Sequence, residues 1–229
     1  MHTTLISSQS FGWNYKTHIK ITEMALQNDN RLDKVEKRML GRFSQMPDFC
    51  KEELGDLNSS HFFFPYGKKK SFTLKKDSEN NAFDKFKYHV NNALKESNRE
   101  KFLREIGYAV HYLQDVSTPL HTEQGGILQK FFKFPIHVKF EKGEFIGASS
   151  RLQILKKQYS PEKLKFSNLQ VLFYNTALFS SLPKNKVKYT NKNEWFGIQQ
   201  RCFNRGVDAS REFFKFILRY LPAKNGLEF

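Results

Sequence analysis

The amino-acid sequence predicts a single all-α domain, and three observations support this prediction. Apolar residues recur at intervals of three and four in most segments, which is typical of helices with one buried face. No segment alternates apolar and polar residues in the way that indicates a β-strand, and no internal repeat is present. With 229 residues, 39% of them hydrophobic, the chain is large and apolar enough to bury one core rather than stay disordered.

Helical spacing defines the predicted helices along the chain. They cover residues 17–27, 31–43, 83–94, 102–115, 169–179 and 193–221. Thr17 and Asn193 are the expected N-caps of the first and last helices, and Pro119 and Pro222 are the expected stops of the fourth and the last. Residues 55–81, dominated by Gly, Asn, Ser and Lys, are predicted to form a loop. Since nothing marks a boundary within the helical part, we predict one multi-helix bundle.

The chain is strongly basic, with a formal net charge of +15 from 38 lysines and arginines against 23 acidic residues. This balance favours an anionic partner, which could be nucleic acid, an acidic membrane surface or a phosphate ester. Charge alone does not choose among these three. No apolar run approaches the roughly 18 residues that a bilayer-spanning helix needs, so the sequence predicts no transmembrane helix.

The two cysteines, Cys50 and Cys202, allow at most one internal disulfide. They form no Cys-x-x-Cys pair, which argues against a thiolate zinc site or a redox motif. We expect two buried or loosely paired thiols.

Histidines and carboxylates with helical spacing form the strongest chemical signal. His111 and Asp115 stand four residues apart on a predicted helix, so both side chains can reach one metal ion. That helix ends soon afterwards, which lets His121 approach the same region from another direction. His137 and Glu141 repeat the four-residue spacing further along the chain. Imidazole and carboxylate are the ligands expected for zinc in a hydrolytic site.

Three upstream residues extend this set: His18 on the first predicted helix, Asp48, and His61 before a run of phenylalanines. With seven histidines in the chain, a His four residues from an acid arises by chance fairly often. The concentration of five candidates in one short stretch is what makes a metal site the better interpretation. His2 and His89 remain outside the set, and we expect them to have no metal role.

The sequence around these residues resembles the bacterial zinc-dependent phospholipases C. Segments 111–121 (HYLQDVSTPLH), 137–141 (HVKFE) and 60–65 (SHFFFP) are similar to the HYxxDxxxPxH, HxKFE and HFxxP segments of that family. His18 and Asp48 match two earlier ligand positions of the family in order and approximate spacing. The resemblance runs from Trp13 to about Leu221 and includes the closing helix.

The resemblance implies a cluster of up to three zinc ions. One would be held by Asp48, His61, His111 and Asp115, a second by His121, His137 and Glu141, and a third by Asp115, His18 and the main chain of Trp13. In that family a mature N-terminal Trp supplies its free amine and its carbonyl to the third metal. Residues 1–12 are therefore expected to be a leader or signal-peptide remnant, and residues 13–229 the catalytic domain.

The leader bears on where the protein works. Residues 10–12, Ser-Phe-Gly, place small residues at the two positions that a signal peptidase reads, directly before Trp13. We therefore expect a secreted or periplasmic protein that begins at Trp13 after processing. A short disordered leader on a cytoplasmic protein is the alternative.

The implied chemistry is hydrolysis of a phosphodiester by a metal-activated water. Cations around the phosphate would stabilise the charge that builds on its oxygens. Asp48 is the expected catalytic carboxylate, because it would orient or deprotonate the attacking water. A glycerophospholipid would yield diacylglycerol and a phosphorylated headgroup. The sequence contains no nucleophile-elbow or P-loop pattern.

The single-strand-specific nucleases of plants and fungi have a similar fold and ligand order, and they provide the alternative. Glu141 resembles the phospholipases, whereas the five-residue spacing from Trp13 to His18 is closer to the nucleases. Phenylalanines beside lysines near the candidate ligands suit a lipid surface and base stacking equally. We expect a monomer that acts on phospholipid or a membrane surface, with single-stranded nucleic acid as the alternative substrate. A non-catalytic zinc-binding or membrane-binding protein is the least favoured reading, because every side-chain ligand is present.

Overall fold

The computed structural model describes residues 15–50, 53–54, 58–65, 81–122, 166–183 and 192–224. Within these ranges the chain is helical and contains no strand, so the all-α prediction is confirmed. The α-helices, numbered in chain order over these ranges, are α1 Tyr15–Leu26, α2 Lys34–Phe43, α3 Met46–Phe49, α4 Ala82–Ala93, α5 Arg99–Asp115, α6 Phe166–Ser181 and α7 Lys192–Ile217. Short 3₁₀ helices span Asn58–His61, Pro119–Thr122 and Leu218–Tyr220. Among these helices, none is both long and apolar enough to cross a membrane.

Capping side chains explain where three of the helices begin. Asp33 accepts hydrogen bonds from two backbone N–H groups of the first turn of α2, and Glu36 closes the capping box from the other side. Asn81 and Asn98 cap α4 and α5, each through its side-chain oxygen. These polar residues satisfy N–H groups that the helix itself leaves without partners.

Two predicted N-caps are wrong. Thr17 lies inside α1, which has already begun at Tyr15, and Asn193 lies inside α7, which has begun at Lys192. The apolar period marks only the stretch of a helix that meets the core, and turns can precede that stretch. The final α-helix also ends at Ile217, and the chain continues to Tyr220 as a 3₁₀ helix before Pro222.

Part of the predicted loop 55–81 lies within the described residues. Its Asn58–His61 stretch forms a 3₁₀ helix. The backbone N–H of Phe63 then donates to the carbonyl of His121 at 2.9 Å, and the N–H of Ala82 donates to the carbonyl of Phe62 at 3.1 Å. This segment is therefore fastened to the chain that follows α5, which places His61 beside that helix. Residues 66–80 lie outside the described part of the chain.

Helix α5 runs through the interior of the bundle and contacts α2, α4 and α7. The predicted apolar stripe of Phe102, Ile106, Val110 and Leu113 is buried, as expected. The opposite side is buried too, because every residue from Ile106 to the end of the helix is shielded from solvent. Polar side chains in the second half of α5 consequently lie inside the protein and need partners there.

The main core lies between α4, α5, α6 and α7 and contains several large aromatic side chains. The largest fully buried ones there include Phe86, Phe102, Phe173 and Phe213. A second, smaller core joins α1 to α7 through Ile21, Phe203 and neighbouring apolar residues. Leu113 near the end of α5 belongs to the first core and Leu120, just after the helix, to the second, so both cores include residues at this end of α5.

A glycine allows α2 to approach α5 closely. A Cβ atom added at Gly107 would overlap the Cβ of Phe43, so a larger residue would push the helices apart. This close approach brings the C-terminal end of α2, at Ser44, against the middle of α5. Ser44 is fully buried, and its carbonyl contributes to the site described below.

Both cysteines are free thiols, and of the expected two buried or loosely paired thiols only Cys202 is buried. Cys202 is buried in the smaller core, and burial raises the pKa of its thiol to about 12. Cys50 is half-buried at the C-terminal end of α3.

Candidate metal centre

Five of the predicted ligands converge in the interior, and we call them the metal-site cluster: His18, Asp48, His61, His111 and Asp115. They come from α1, α3, the Asn58–His61 turn and α5, so four separate elements build one site. None of the five side chains is more than 1% exposed. Acidic groups and histidines buried together to this degree require either mutual pairing or a bound cation.

Asp115 is the central carboxylate of the cluster. His111, one turn earlier on α5, places Nε2 at 3.1 Å from Asp115 Oδ2, as the four-residue spacing predicts. His61 Nδ1 lies 2.7 Å from the same oxygen. The second oxygen, Oδ1, faces His18 Nε2 at 3.5 Å. One carboxylate thus lies close to three imidazoles and can bind two neighbouring ions, one through each oxygen.

Asp48 lies opposite, on the short helix α3. Its Oδ2 is 3.9 Å from His18 Nε2, and its Oδ1 is 3.9 Å from His111 Nε2. Both distances are too long for hydrogen bonds. They do suit two ligand atoms that face one ion, since zinc lies about 2.0–2.2 Å from each nitrogen or oxygen that binds it.

Two overlapping ligand groups result from this geometry. His18, Asp48 and His111 form one, and His61, His111 and Asp115 form the other, with the ligand atoms of each group within 4.8 Å of one another. The resemblance to the phospholipases had assigned His18 and Asp48 to different ions. In the structure they lie in one group, because α1 and α3 bring both side chains to the same side of His111.

Several atoms of the cluster have no hydrogen-bond partner among the described residues. These atoms are His18 Nε2, both carboxylate oxygens of Asp48 and Asp115 Oδ1. Buried polar atoms are almost always hydrogen-bonded, so a concentration of exceptions at one place calls for an explanation. Nitrogen and carboxylate oxygen are the donor atoms that zinc prefers in hydrolytic sites, and a divalent cation would satisfy all of them together. The donor set therefore fits zinc.

Outward-facing hydrogen bonds fix which ring nitrogen two of the three histidines, His111 and His18, offer to the cluster. His111 Nδ1–H donates to the carbonyl of Ser44 at 2.9 Å, so its Nε2 faces the cluster. His18 Nδ1 lies 2.7 Å from Oε1 of Gln114, which leaves His18 Nε2 directed at the two aspartates. Such partners behind the ligands set the tautomer and the orientation of the ring.

Sequence reasoning missed both of these partners. Ser44 acts through its backbone carbonyl, which no residue pattern reveals. Gln114 does carry a signal, because it stands between two candidate ligands in the half of α5 that proves to be buried on all sides. A polar side chain at that position must find partners inside the protein.

The charges of the cluster shift one another's protonation in the metal-free state. Burial raises the pKa of the Asp48 carboxyl, although nearby histidines oppose the shift. Burial would lower the pKa of His111, but the charges of Asp115 and Asp48 outweigh it and raise that pKa to about 9. Burial also opposes ionisation of Asp115, yet His111 and hydrogen bonds from the histidines hold its pKa well below the ordinary value. In the metal-free protein at neutral pH, the His111 ring therefore carries a proton that a bound cation would replace.

His121 lies next to the cluster rather than within it. It is fully buried in the 3₁₀ helix after α5, and its Nδ1–H donates to the carbonyl of His61 at 2.7 Å. The ring of Phe62 stacks on it with a centroid separation of 4.7 Å. Trp13, His137 and Glu141, the other predicted ligands, lie outside the described residues.

His89 lies outside the metal-site cluster, on the helix packed beside α5. It is buried on α4, and its Nδ1 pairs with a carboxylate oxygen of Glu105 at 2.9 Å. Its ring also stacks on Tyr112, which in turn contacts the rings of His61 and His111. His89 therefore supports the wall of the cluster through packing.

Comparison with known proteins gives a consistent result. The family model described as zinc dependent phospholipase C matches residues 17–195. No curated protein sequence matches the chain. The alpha toxin from Clostridium absonum is similar in structure, with a TM-score of 0.69 and 16% sequence identity over 93% of this chain and 67% of that one. The alpha-toxin of an avian strain of Clostridium perfringens has a TM-score of 0.59 and 17% identity over 95% of this chain and 65% of that one. This chain thus spans about two thirds of the length of each toxin, and at such identities the likeness shows a shared fold.

Proposed function

Because the chain belongs to the zinc-dependent phospholipase C family, a family of phosphoric ester hydrolases, we propose that it cleaves glycerophospholipids into diacylglycerol and a phosphorylated headgroup. The observation that carries the proposal is the metal-site cluster, in which buried histidines and aspartates aim unsatisfied atoms at one another. A buried arrangement of this kind is costly to the fold unless a cation completes it. The cluster lowers the stability of the metal-free fold, so its presence is explained by a role in function.

The described ligands of the proposed zinc site are His18, Asp48, His61, His111 and Asp115. His121 and the undescribed Trp13, His137 and Glu141 complete the proposed set of up to three ions. Bound zinc would lower the pKa of a coordinated water and neutralise charge on the phosphate oxygens. Side chains of this chain would orient the substrate and transfer the protons.

Asp48 is the proposed catalytic base. Both of its oxygens are buried and lack hydrogen-bond partners among the described residues, so one oxygen can bind a cation while the other accepts a proton from a water. Its position on α3 is secured by Pro47 in the first turn, where the missing N–H of proline has no cost. Burial raises the pKa of the Asp48 carboxyl and so opposes the ionised form that a base requires, while the histidines opposite it act in the other direction.

Family membership supports phospholipid as the substrate. The five-residue spacing from Trp13 to His18 is the feature that keeps single-stranded nucleic acid as the alternative. The net charge of +15 suits a phosphate headgroup at an anionic lipid surface. We propose that the protein is exported and that Trp13 becomes its N-terminus, because Ser10-Phe11-Gly12 precedes it and a free amine there would add a zinc ligand. We also propose that it acts as a monomer.

The test compares zinc-loaded wild type with Asp48→Asn, using phosphatidylcholine vesicles and single-stranded DNA as substrates. We expect wild type to hydrolyse the lipid and Asp48→Asn to be slower by about 10²–10⁴-fold, the usual contribution of a general base. Asp84→Asn is the matched control, because this carboxylate pairs with Lys87 on the outside of α4 and should leave turnover unchanged. Cleavage of DNA but not lipid would overturn the substrate, and full activity of Asp48→Asn would overturn the role of Asp48.

A further inference from the structure

Gln114 is a fully buried amide between His111 and Asp115 on α5. Its Oε1 lies 2.7 Å from Nδ1 of His18 on α1. Its Nε2 donates to the hydroxyl of Thr22 at 3.0 Å and to the hydroxyl of Ser210 at 3.2 Å. Both hydroxyl groups belong to fully buried residues, so one amide joins α1, α5 and α7 in the interior.

The orientation of this amide decides which nitrogen of His18 carries the proton. With Oε1 facing the ring, His18 Nδ1 must be the N–H donor, and the lone pair lies on Nε2. That lone pair faces Asp115 Oδ1 at 3.5 Å and Asp48 Oδ2 at 3.9 Å, where a cation would bind. A reversed amide would donate to Nδ1 and move the ring proton to Nε2. The ring would then present N–H to the two aspartates and could not bind a metal there.

Thr22 and Ser210 anchor the amide at the position from which its Oε1 reaches His18. The two N–H bonds of the amide point at two hydroxyl oxygens, each of which can accept. Thr22 lies one turn after His18 on α1, so it holds the amide against the same helix face that carries the ligand. Ser210 adds a contact from α7, beyond the residues that the family model matches.

His18 differs in this respect from His111 and His121. The Nδ1 atoms of those two rings donate to backbone carbonyls of Ser44 and His61, which cannot exchange donor for acceptor. The partner of His18 is a side-chain amide, which can turn over and present its N–H groups in place of its oxygen. Its tautomer therefore depends on the amide network, and a single substitution can alter it without moving the backbone.

We propose that Gln114 is a positioning residue for zinc, which holds His18 in the tautomer with the lone pair on Nε2 and makes α7 part of the metal site through Ser210. This inference rests on the proposed function, since it assumes that zinc binds the cluster. Residues behind a metal ligand usually contribute about 10–100-fold to metal affinity. The same effect is expected when the acceptor behind His18 is removed.

The test measures zinc affinity by competition with a chromophoric chelator. His18→Ala first identifies which zinc-binding step depends on His18. Gln114→Leu removes the acceptor at similar volume and should weaken that same step by about 10–100-fold. Gln114→Glu keeps an acceptor toward His18, while the hydroxyls of Thr22 and Ser210 can reverse and donate, so it should bind zinc close to wild type.

Two controls separate positioning from simple loss of structure. Thr22→Val and Ser210→Ala each remove one hydrogen bond of the amide but keep the bond to His18, so they should lower the unfolding temperature with a smaller loss of affinity than Gln114→Leu. Nitrogen-15 NMR of the histidine rings in metal-free wild type should show His18 protonated at Nδ1, and Gln114→Leu should give a mixture of tautomers. Neither control depends on catalysis.

Each outcome bears on the inference. Unchanged zinc affinity in Gln114→Leu would overturn it while leaving the proposed function intact, and so would equal losses in Gln114→Leu and Gln114→Glu. A His18 ring protonated at Nε2 in wild type would overturn it even if the variants failed to fold. Failure of wild type itself to bind zinc would instead overturn the proposed function, and the inference with it.

Discussion

The charged side chains around the start of α2 differ from the metal-site cluster in how their charges are balanced. At the start of α2, a group that we call the capping clamp consists of Asp33, Glu36, Arg99 and Lys224. Glu36 pairs with Arg99, and Asp33 pairs with Lys224 at 2.8 Å. In the metal-site cluster, acidic and imidazole groups meet without any lysine or arginine among the five residues. In the clamp each carboxylate has a cationic partner, whereas in the cluster both oxygens of Asp48 lack a hydrogen-bond partner among the described residues.

The residues of the capping clamp stabilise the fold by joining the starts of helices to other parts of the chain. Glu36 accepts a hydrogen bond from the backbone N–H of Asp33 at 2.9 Å, which closes the first turn of α2. Arg99, at the start of α5, also donates to the carbonyl of Pro222 at 2.6 Å and to that of Arg31 at 3.2 Å. The clamp thus ties α2 and α5 to the chain beyond α7.

The comparison separates the largely buried Glu36–Arg99 pair of the clamp, which stabilises the fold, from buried charge that is kept for chemistry. A hydrogen bond to a charged group contributes about 1.5–3 kcal/mol, whereas a buried polar group without a partner costs about 1–3 kcal/mol. The clamp should therefore stabilise the metal-free protein, and the cluster should destabilise it. Bound zinc would change the contribution of the cluster to stability from unfavourable to favourable, and it would not change the contribution of the clamp.

The largest expected effect that separates the two regions is that of pH on zinc affinity. His111 has its pKa raised to about 9 in the metal-free protein, so its ring carries a proton at neutral pH that zinc must displace. Affinity should rise about tenfold per pH unit for one displaced proton, or about 100-fold from pH 6 to pH 8.

The contribution of the clamp to stability should not change between pH 6 and pH 8. The hydrogen bond from Lys224 lowers the pKa of Asp33 from 3.8 to about 2, so its contribution is present above about 3.8 and is lost as the pH falls through about 2.

This pH dependence can be measured by zinc titration in weakly buffered solution with a pH indicator. Release of about one proton per zinc at pH 7, with affinity that levels off near pH 9, is the expected result. Binding without proton release between pH 6 and pH 8 would contradict the assignment of His111 as a ligand.

A smaller effect separates the regions in the metal-free protein. Glu36→Gln should lower the free energy of unfolding by about 2 kcal/mol, because it weakens charge-assisted hydrogen bonds to Arg99. Asp48→Asn should leave that free energy unchanged or raise it, because it removes a buried charge that has no hydrogen-bond partner among the described residues. Urea unfolding in the presence of a chelator measures both. If Asp48→Asn destabilised the protein as much as Glu36→Gln, Asp48 would be a structural residue like those of the clamp.

The sequence predicted the helices well because their evidence is local. Apolar spacing marks where each helix meets the core, and the interior segments at 83–94 and 102–115 are matched by α4 and α5. Helix starts were less predictable. Thr17 and Asn193 are acceptable caps by type, but α1 and α7 begin before them, since an exposed turn can precede the apolar period.

The structure brings together five predicted ligands that stand in a recognisable order, whereas the residues behind them were not predicted. His111 and Asp115 were predictable from their four-residue spacing, and the structure brings them to 3.1 Å of each other. The roles of Ser44 and Gln114 depend on contacts between helices that are distant in sequence. Gln114 and Ser210 are 96 residues apart, and no local pattern relates them.

The measurement that tests the central claim most directly is the zinc content of the purified chain after zinc loading and exhaustive dialysis, by mass spectrometry. It should be run on wild type, Asp48→Asn and Glu36→Gln together. We predict that wild type and Glu36→Gln retain more than a single zinc ion per chain and that Asp48→Asn retains less zinc than either. Absence of zinc from loaded wild type, or equal zinc in all three proteins, would contradict the account of the cluster as a metal site.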